Sequence, residues 1–196
     1  MPNQRLTQQI QFILEVDKLK NIIRRTYVTG GARHENSAEH SWQLAIMALT
    51  LAEHANEPVD VSHVMKMVVI HDIVEIDAGD TYFFDDAGTA DKAVREQQAA
   101  ARLFGLLPDD QAVELRQLWE EFEARETPEA RFANAIDRLM PLLLNYETQG
   151  QSWQEHGIHS DDILPRMAHV SAGSETIWQL IQSIVAAAVA EGFLAS

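Results

Sequence analysis

Residues 68–80 read VVIHDIVEIDAGD, and this stretch decides the fold. Asp60 ahead of it is a good helix N-cap, and Val64, Met67, Val68 and Ile70 lead into it at helical spacing. The pattern predicts a helix that ends near Gly79 and is apolar on most faces, hence central to a domain. Into this apolar run the chain sets His71 and Asp72 side by side. An imidazole and a carboxylate buried together are costly unless they pair or bind a cation. Glu75 stands four residues after His71 and three after Asp72, so it shares their face, and Asp80 follows at the helix end. The plainer reading is a core histidine satisfied by Asp72, with the other acids solvated.

On either side the helical period continues. Ile10, Ile13, Leu14, Val16, Leu19, Ile22 and Ile23 predict an amphipathic helix over residues 6–23, ended by a loop over 29–35 that carries Gly30 and Gly31. Asn36 and Glu39 form a capping-box pattern, so the next helix starts near Ser37 and runs through Trp42, Leu44 and Met47 to about residue 54. A loop over 82–90, with Asp85, Asp86 and Gly88, precedes helices at about 91–104 and 108–124. Thr127-Pro128-Glu129 is a further helix start, for a segment through Phe132, Ile136 and Leu139 to about residue 146. Pro141 lies inside that helix, four residues after Asp137, which predicts a kink. A short helix over 161–169 and a long one after Ser174 complete an all-α chain, read as one domain over residues 1–196.

Composition narrows the chemistry. In 196 residues there are 46% hydrophobic side chains, no cysteine, and 15 basic against 30 acidic residues, a formal charge of -15. Without cysteine there is no disulfide, thiolate metal site or thiol nucleophile, so any metal must sit on His, Asp or Glu. The apolar run at 184–190 is far below the ~20 residues of a membrane span, and MPNQRLTQQI lacks a signal pattern, so a soluble cytoplasmic protein is expected. The negative charge and the lack of a Lys/Arg-rich run argue against a nucleic-acid partner. A small anionic substrate is compatible if a cation sits in the pocket.

Two more positions add weight to the central helix. His40 falls in the first turn of the second helix, and Asp137 lies among apolar neighbours in NAIDRLMPLLLNY, residues 134–146. Taken alone, His40 is a cap-region histidine and Asp137 a partner of Arg138 or Arg131. Taken together, His40, His71-Asp72 and Asp137 resemble the motif of the HD-domain metal-dependent phosphohydrolases. More closely, LKNIIRR (19–25), ENSAEHSW (35–42), HDIVEIDAGD (71–80) and AIDRLMPLLLNY (135–146) resemble, in order, the pattern of the 5'-deoxynucleotidase-like group.

The resemblance implies an HD-type helical bundle with a central site in which His40, His71, Asp72 and Asp137 hold one divalent ion. Two imidazoles and two carboxylates suit Mn, Co, Fe, Ni or Zn, while Mg prefers all-oxygen shells. No histidine lies between Asp72 and Asp137, so the extra pair used by two-metal relatives is missing and a mononuclear site is expected. Glu75 matches as the general acid/base and Asp80 as a positioning or proton-handling group, a division that can also be reversed. Arg24 falls where the family's phosphate-binding arginine is expected, with Arg25 and Arg33 as neighbouring substrate-binding candidates. The deoxynucleotidase pattern has tryptophan where this chain has Arg25. The expected reaction is release of phosphate from 5'-(deoxy)nucleoside monophosphates. Alternatives are hydrolysis of nucleoside triphosphates or guanosine polyphosphates, or a non-catalytic nucleotide-binding module. Relatives are commonly dimers, which implies a homodimer, and the apolar last helix, with Ile177, Trp178, Ile181, Ile184, Val185 and Val189, serves either the core or that interface.

Overall fold

A computed structural model describes residues 3–85, 88 and 90–196. Helix α1 (Gln4–Val16) is followed by a 3₁₀ turn (Asp17–Asn21) and a two-stranded antiparallel hairpin, β1 (Ile23–Tyr27) and β2 (His34–Asn36). The helix expected over residues 6–23 therefore stops short. Ile22 is already extended, Ile23 and Thr26 are β-branched, and Gly30 and Gly31 both take the positive φ that reverses the chain. Along β1 burial alternates, with Arg24 and Thr26 turned inward and Ile23 and Arg25 outward. Most of the apolar stripe of α1 stays outside the core: Leu6, Ile10, Ile13 and Leu14 are exposed, and only Phe12 and Val16 pack against it. Arg5 to Asp110 and Gln9 to Gln111 hold that helix to the body.

Helix α2 (Ser37–Leu51) begins at the expected capping box, Asn36 Oδ1 accepting from Glu39 N and Glu39 Oε2 from Asn36 N. Its continuation to residue 54 is a 3₁₀ turn. Helix α3 (Val61–Ile70) is capped by Asp60 and packs against α2 and two later helices. The expected single helix to Gly79 is broken: His71–Val74 form a 3₁₀ turn before the short α4 (Glu75–Ala78). All four residues of that turn are buried, which one stripe of a surface helix cannot achieve; the segment is enclosed on every side.

Helices α5 (Lys92–Phe104), α6 (Asp109–Ala124) and α7 (Pro128–Glu147) lie close to the expected limits. Of the expected 82–90 loop, Asp86 lies outside the described residues, while Gly88 N donates to Asp85 Oδ1 at 2.9 Å. Thr127 caps α7 by accepting from Ala130 N, and α7 remains α-helical across Pro141. A further helix, α8 (Gln151–His156), lies between left-handed Gly150 and Gly157 and had no sequence signal beyond those glycines. Helix α9 (Ser160–Met167), a 3₁₀ turn and α10 (Glu175–Ala190) follow, with Ser174 as N-cap of the last. Leu44, Val64, Met67, Phe104, Phe132, Ile136, Leu139 and Ile181 centre the core. Ile177, Ile181, Ile184 and Val185 are buried in it, so the apolar face of α10 completes the core rather than an interface. No helix among the described residues is long and apolar enough to cross a membrane.

Candidate metal centre

Three elements bring four side chains to one point. The first turn of α2 supplies His40, the 3₁₀ turn after α3 supplies His71 and Asp72, and the middle of α7 supplies Asp137, all buried. Ligand atoms of His40, His71 and Asp72 lie within 4.8 Å of one another. Asp137 Oδ1 is 2.9 Å from His40 Nε2 and 3.6 Å from His71 Nε2, and His71 Nε2 is 2.9 Å from Asp72 Oδ1.

The chemistry of these donors fits a cation. His71 Nδ1 donates to the Val68 carbonyl at 2.8 Å, which leaves Nε2 as the lone-pair nitrogen, and that atom is buried with no hydrogen-bond partner. A lone pair facing two carboxylate oxygens is repulsive unless a proton or a metal lies between. Burial disfavours a charged His71, but Asp72 and Asp137 outweigh it and hold its pKa well above the usual imidazole value. Burial and then Arg24 push His40 down to about 4, which keeps the ring neutral, with Nε2 directed at Asp137 Oδ1. Burial would raise both aspartates; instead His71 and Arg24 hold Asp72 low, and Arg138 with the two imidazoles holds Asp137 low. A cation at this point would take the place of the protons that these nitrogen–carboxylate contacts require and would meet carboxylates already held low.

Around this cluster lie the remaining acids. Glu75 is buried at the start of α4 and accepts from Ser37 Oγ at 2.7 Å. Burial, then the nearby Asp72 charge, raises its pKa well above the ordinary carboxylate value, and burial raises Asp80 in the same direction. Arg24 on β1 donates to Asp72 Oδ2 at 3.0 Å and lies 3.5 Å from Glu35 and 3.9 Å from Asp80.

A cavity of about 420 Å³ opens onto this cluster. Arg24, Arg25, Glu75 and Asp80 line it beside His71, Asp72 and Asp137, with Tyr82, Phe83 and Phe84 as an aromatic wall. Arg25 reaches it from the exposed face of β1. Arg33 lies apart from the others: it is not among the lining residues, and Glu39 holds it on the surface through two contacts of 2.7 and 2.8 Å. The same Glu39 serves the capping box, so Arg33 is committed to the start of α2. Sequence reading missed Glu35 and named Arg138 only as an ion-pair partner of Asp137, a contact present at 2.8 Å. Glu35 is buried on β2, accepts from Thr26 Oγ1, lies 3.6 Å from His40 Nδ1, and is raised by burial to about 7. Its signal was its place at the head of ENSAEHSW, and that of Arg138 its place directly after Asp137.

Comparison with known proteins identifies the family. A family model described as HD domain matches residues 16–178. A 5'-deoxynucleotidase of Danio rerio is 30% identical over 143 residues, covering 72% of this chain and 70% of that protein. One of Bos taurus is 32% identical over 136 residues, covering 68% of this chain and 64% of that protein. Among solved structures, a predicted metal-dependent phosphohydrolase from Magnetospirillum magnetotacticum MS-1 superposes with a TM-score of 0.95 at 51% identity, covering 100% of this chain and 98% of the other.

Proposed function

This chain belongs to the HD domain family and is a metal-dependent nucleotide phosphohydrolase, and from that premise we propose that it releases phosphate from 5'-(deoxy)nucleoside monophosphates. The observation that carries the reading is the convergence of His40, His71, Asp72 and Asp137, of which the last three line a nucleotide-sized cavity and His40 lies buried behind them, with His71 Nε2 making no well-formed hydrogen bond. These four residues hold one divalent ion, of the Mn, Co, Fe, Ni, Zn or Mg class. When bound, the ion supplies Lewis acidity to the phosphoryl group and lowers the pKa of a water molecule.

The chain's own side chains do the rest. Glu75, whose raised pKa keeps a proton available, is the general acid/base, and Ser37 fixes the direction of its carboxyl. Arg24 binds phosphate oxygens, and Asp80 beside it positions the guanidinium. Arg25 meets the outer part of the substrate at the cavity mouth. Tyr82, Phe83 and Phe84 give the nucleoside an apolar face. A cavity of this size takes one nucleotide, so the substrate is a free nucleotide rather than nucleic acid. We place the enzyme in the cytoplasm as a homodimer; Trp42, Ile46 and Leu49 form an exposed apolar stripe along α2 that suits such an interface.

The test is phosphate release from 5'- and 3'-nucleoside and deoxynucleoside monophosphates by metal-stripped protein with Mn, Co, Ni, Mg or Zn restored, and Asp72→Ala as control. Metal-dependent turnover of the 5'-esters that is lost in the variant is the expected result. Tight metal binding without turnover of any monophosphate overturns the substrate assignment.

A further inference from the structure

The two carboxylates of the centre are held in the same way by two different elements. Asp72 turns Oδ1 toward His71 and gives Oδ2 to Arg24 of β1 at 3.0 Å. Asp137 turns Oδ1 toward both histidines and gives Oδ2 to Arg138 of α7 at 2.8 Å. In each case one oxygen faces the ligand cluster and the other meets a guanidinium, so an arginine flanks each carboxylate.

The two arginines differ in how far they are committed. Arg24 is shared among Asp72, Glu35 and Asp80. Arg138 meets only Asp137, and by one nitrogen, although a guanidinium paired for its own sake usually engages a carboxylate with two. Its Nε, like that of Arg24, is buried without a hydrogen-bond partner, and among the described residues the ion pair with Asp137 is its sole polar contact. Its carbon lies 4.6 Å from the centre of the Phe83 ring, which covers one face and leaves the in-plane N–H donors. Both arginines line the cavity. A half-buried cation with idle donors, next to a metal ligand, is arranged to receive oxygen acceptors that the protein itself does not provide.

We propose that Arg138 is a second phosphate-binding arginine, which clamps the substrate's phosphoryl oxygens together with Arg24. The proposal rests on the phosphohydrolase reading for the identity of the anion, and its test does not need turnover. Manganese-loaded wild type, Arg138→Ala and Arg138→Lys are titrated calorimetrically with inorganic phosphate, and bound metal is measured in each. The expected result is phosphate binding about 10- to 100-fold weaker in Arg138→Ala per loaded site, the loss of charge-assisted hydrogen bonds, with an intermediate value for Arg138→Lys. Phosphate binding within twofold of wild type per loaded site overturns the proposal, including when Arg138→Ala also loses metal, since Arg138 then acts on Asp137 alone. If Arg138→Ala does not fold, Arg138→Lys decides: it keeps the charge and loses the fork, and a wild-type phosphate affinity refutes the clamp. Wild-type protein that hydrolyses no monophosphate but loses phosphate affinity in the variant refutes the substrate assignment and leaves the clamp standing.

Discussion

Asn36→Ala tests the link between helix capping and the metal centre. The Asn36 side chain accepts the Glu39 amide at 3.0 Å, and His40, four residues from the cap, points its Nε2 at Asp137. Removing an asparagine cap costs about 1 kcal/mol, which lowers Tm by roughly 2–4 °C in a chain of this size. Fraying is concentrated in the terminal turn, where His40 sits. Ordering that turn again when metal binds, at full transmission of about 1 kcal/mol, weakens the metal Kd about fivefold. Thr127→Ala is the matched control. Thr127 caps α7 at 3.2 Å from Ala130 N and donates to Glu121 at 2.6 Å, so its loss costs a similar or larger amount. Asp137, however, lies ten residues in, beyond the reach of fraying. Thermal melts and calorimetric titration of Mn into metal-stripped protein read both quantities. Equal losses of metal affinity in the two variants, or a lower Tm without loss of affinity in Asn36→Ala, refute the reasoning.

Glu75→Gln should lower kcat by about 10²- to 10⁴-fold while retaining metal, as measured by turnover and metal content; loss of metal in parallel would make Glu75 a ligand instead. Arg24→Ala should raise KM at least tenfold and Arg33→Ala should not, because of these two only Arg24 reaches the cavity; equal effects would contradict the placement of Arg33. Ser174 is fully buried, donates to the His54 carbonyl at 2.6 Å and accepts from Ile177 N at 3.1 Å, so Ser174→Ala should cost about 2–4 kcal/mol in denaturant unfolding. Gly150→Ala should cost more than about 2 kcal/mol by the same assay, since φ is +74° and the added Cβ would stand 1.9 Å from the Phe193 carbonyl oxygen.

The parts legible in the sequence are those whose causes are local. The capping box at Asn36, the Thr127-Pro128 start and the Ser174 cap are short patterns with one structural meaning, and each begins a helix where expected. The convergence of His40, His71, Asp72 and Asp137 was legible because His71-Asp72 sits in an apolar run and His40 and Asp137 match the spacing of a known family pattern. The hairpin was not, because Leu19, Ile22 and Ile23 extend the helical period of α1, and a five-residue strand offers too few positions to separate the two periods. The apolar stripe of α1 misled for another reason: periodicity identifies a face and says nothing of what covers it. Glu35 escaped because a buried strand carboxylate facing His40 has no local pattern, and the cavity side of Arg138 escaped because it depends on the distant wall at Phe83.

The hairpin gives the site a form of error tolerance. Arg24 and Arg25 are chemically identical, and the pleat alone decides which turns inward and which faces solvent. Were the turn after β1 to gain or lose one residue, the strand could slip by one place and exchange the two faces. Most side chains would then be replaced by unsuitable neighbours, yet the inward post would pass from one guanidinium to another. After such a slip Arg25, which now lines the cavity mouth, would be the guanidinium that stands beside Asp72.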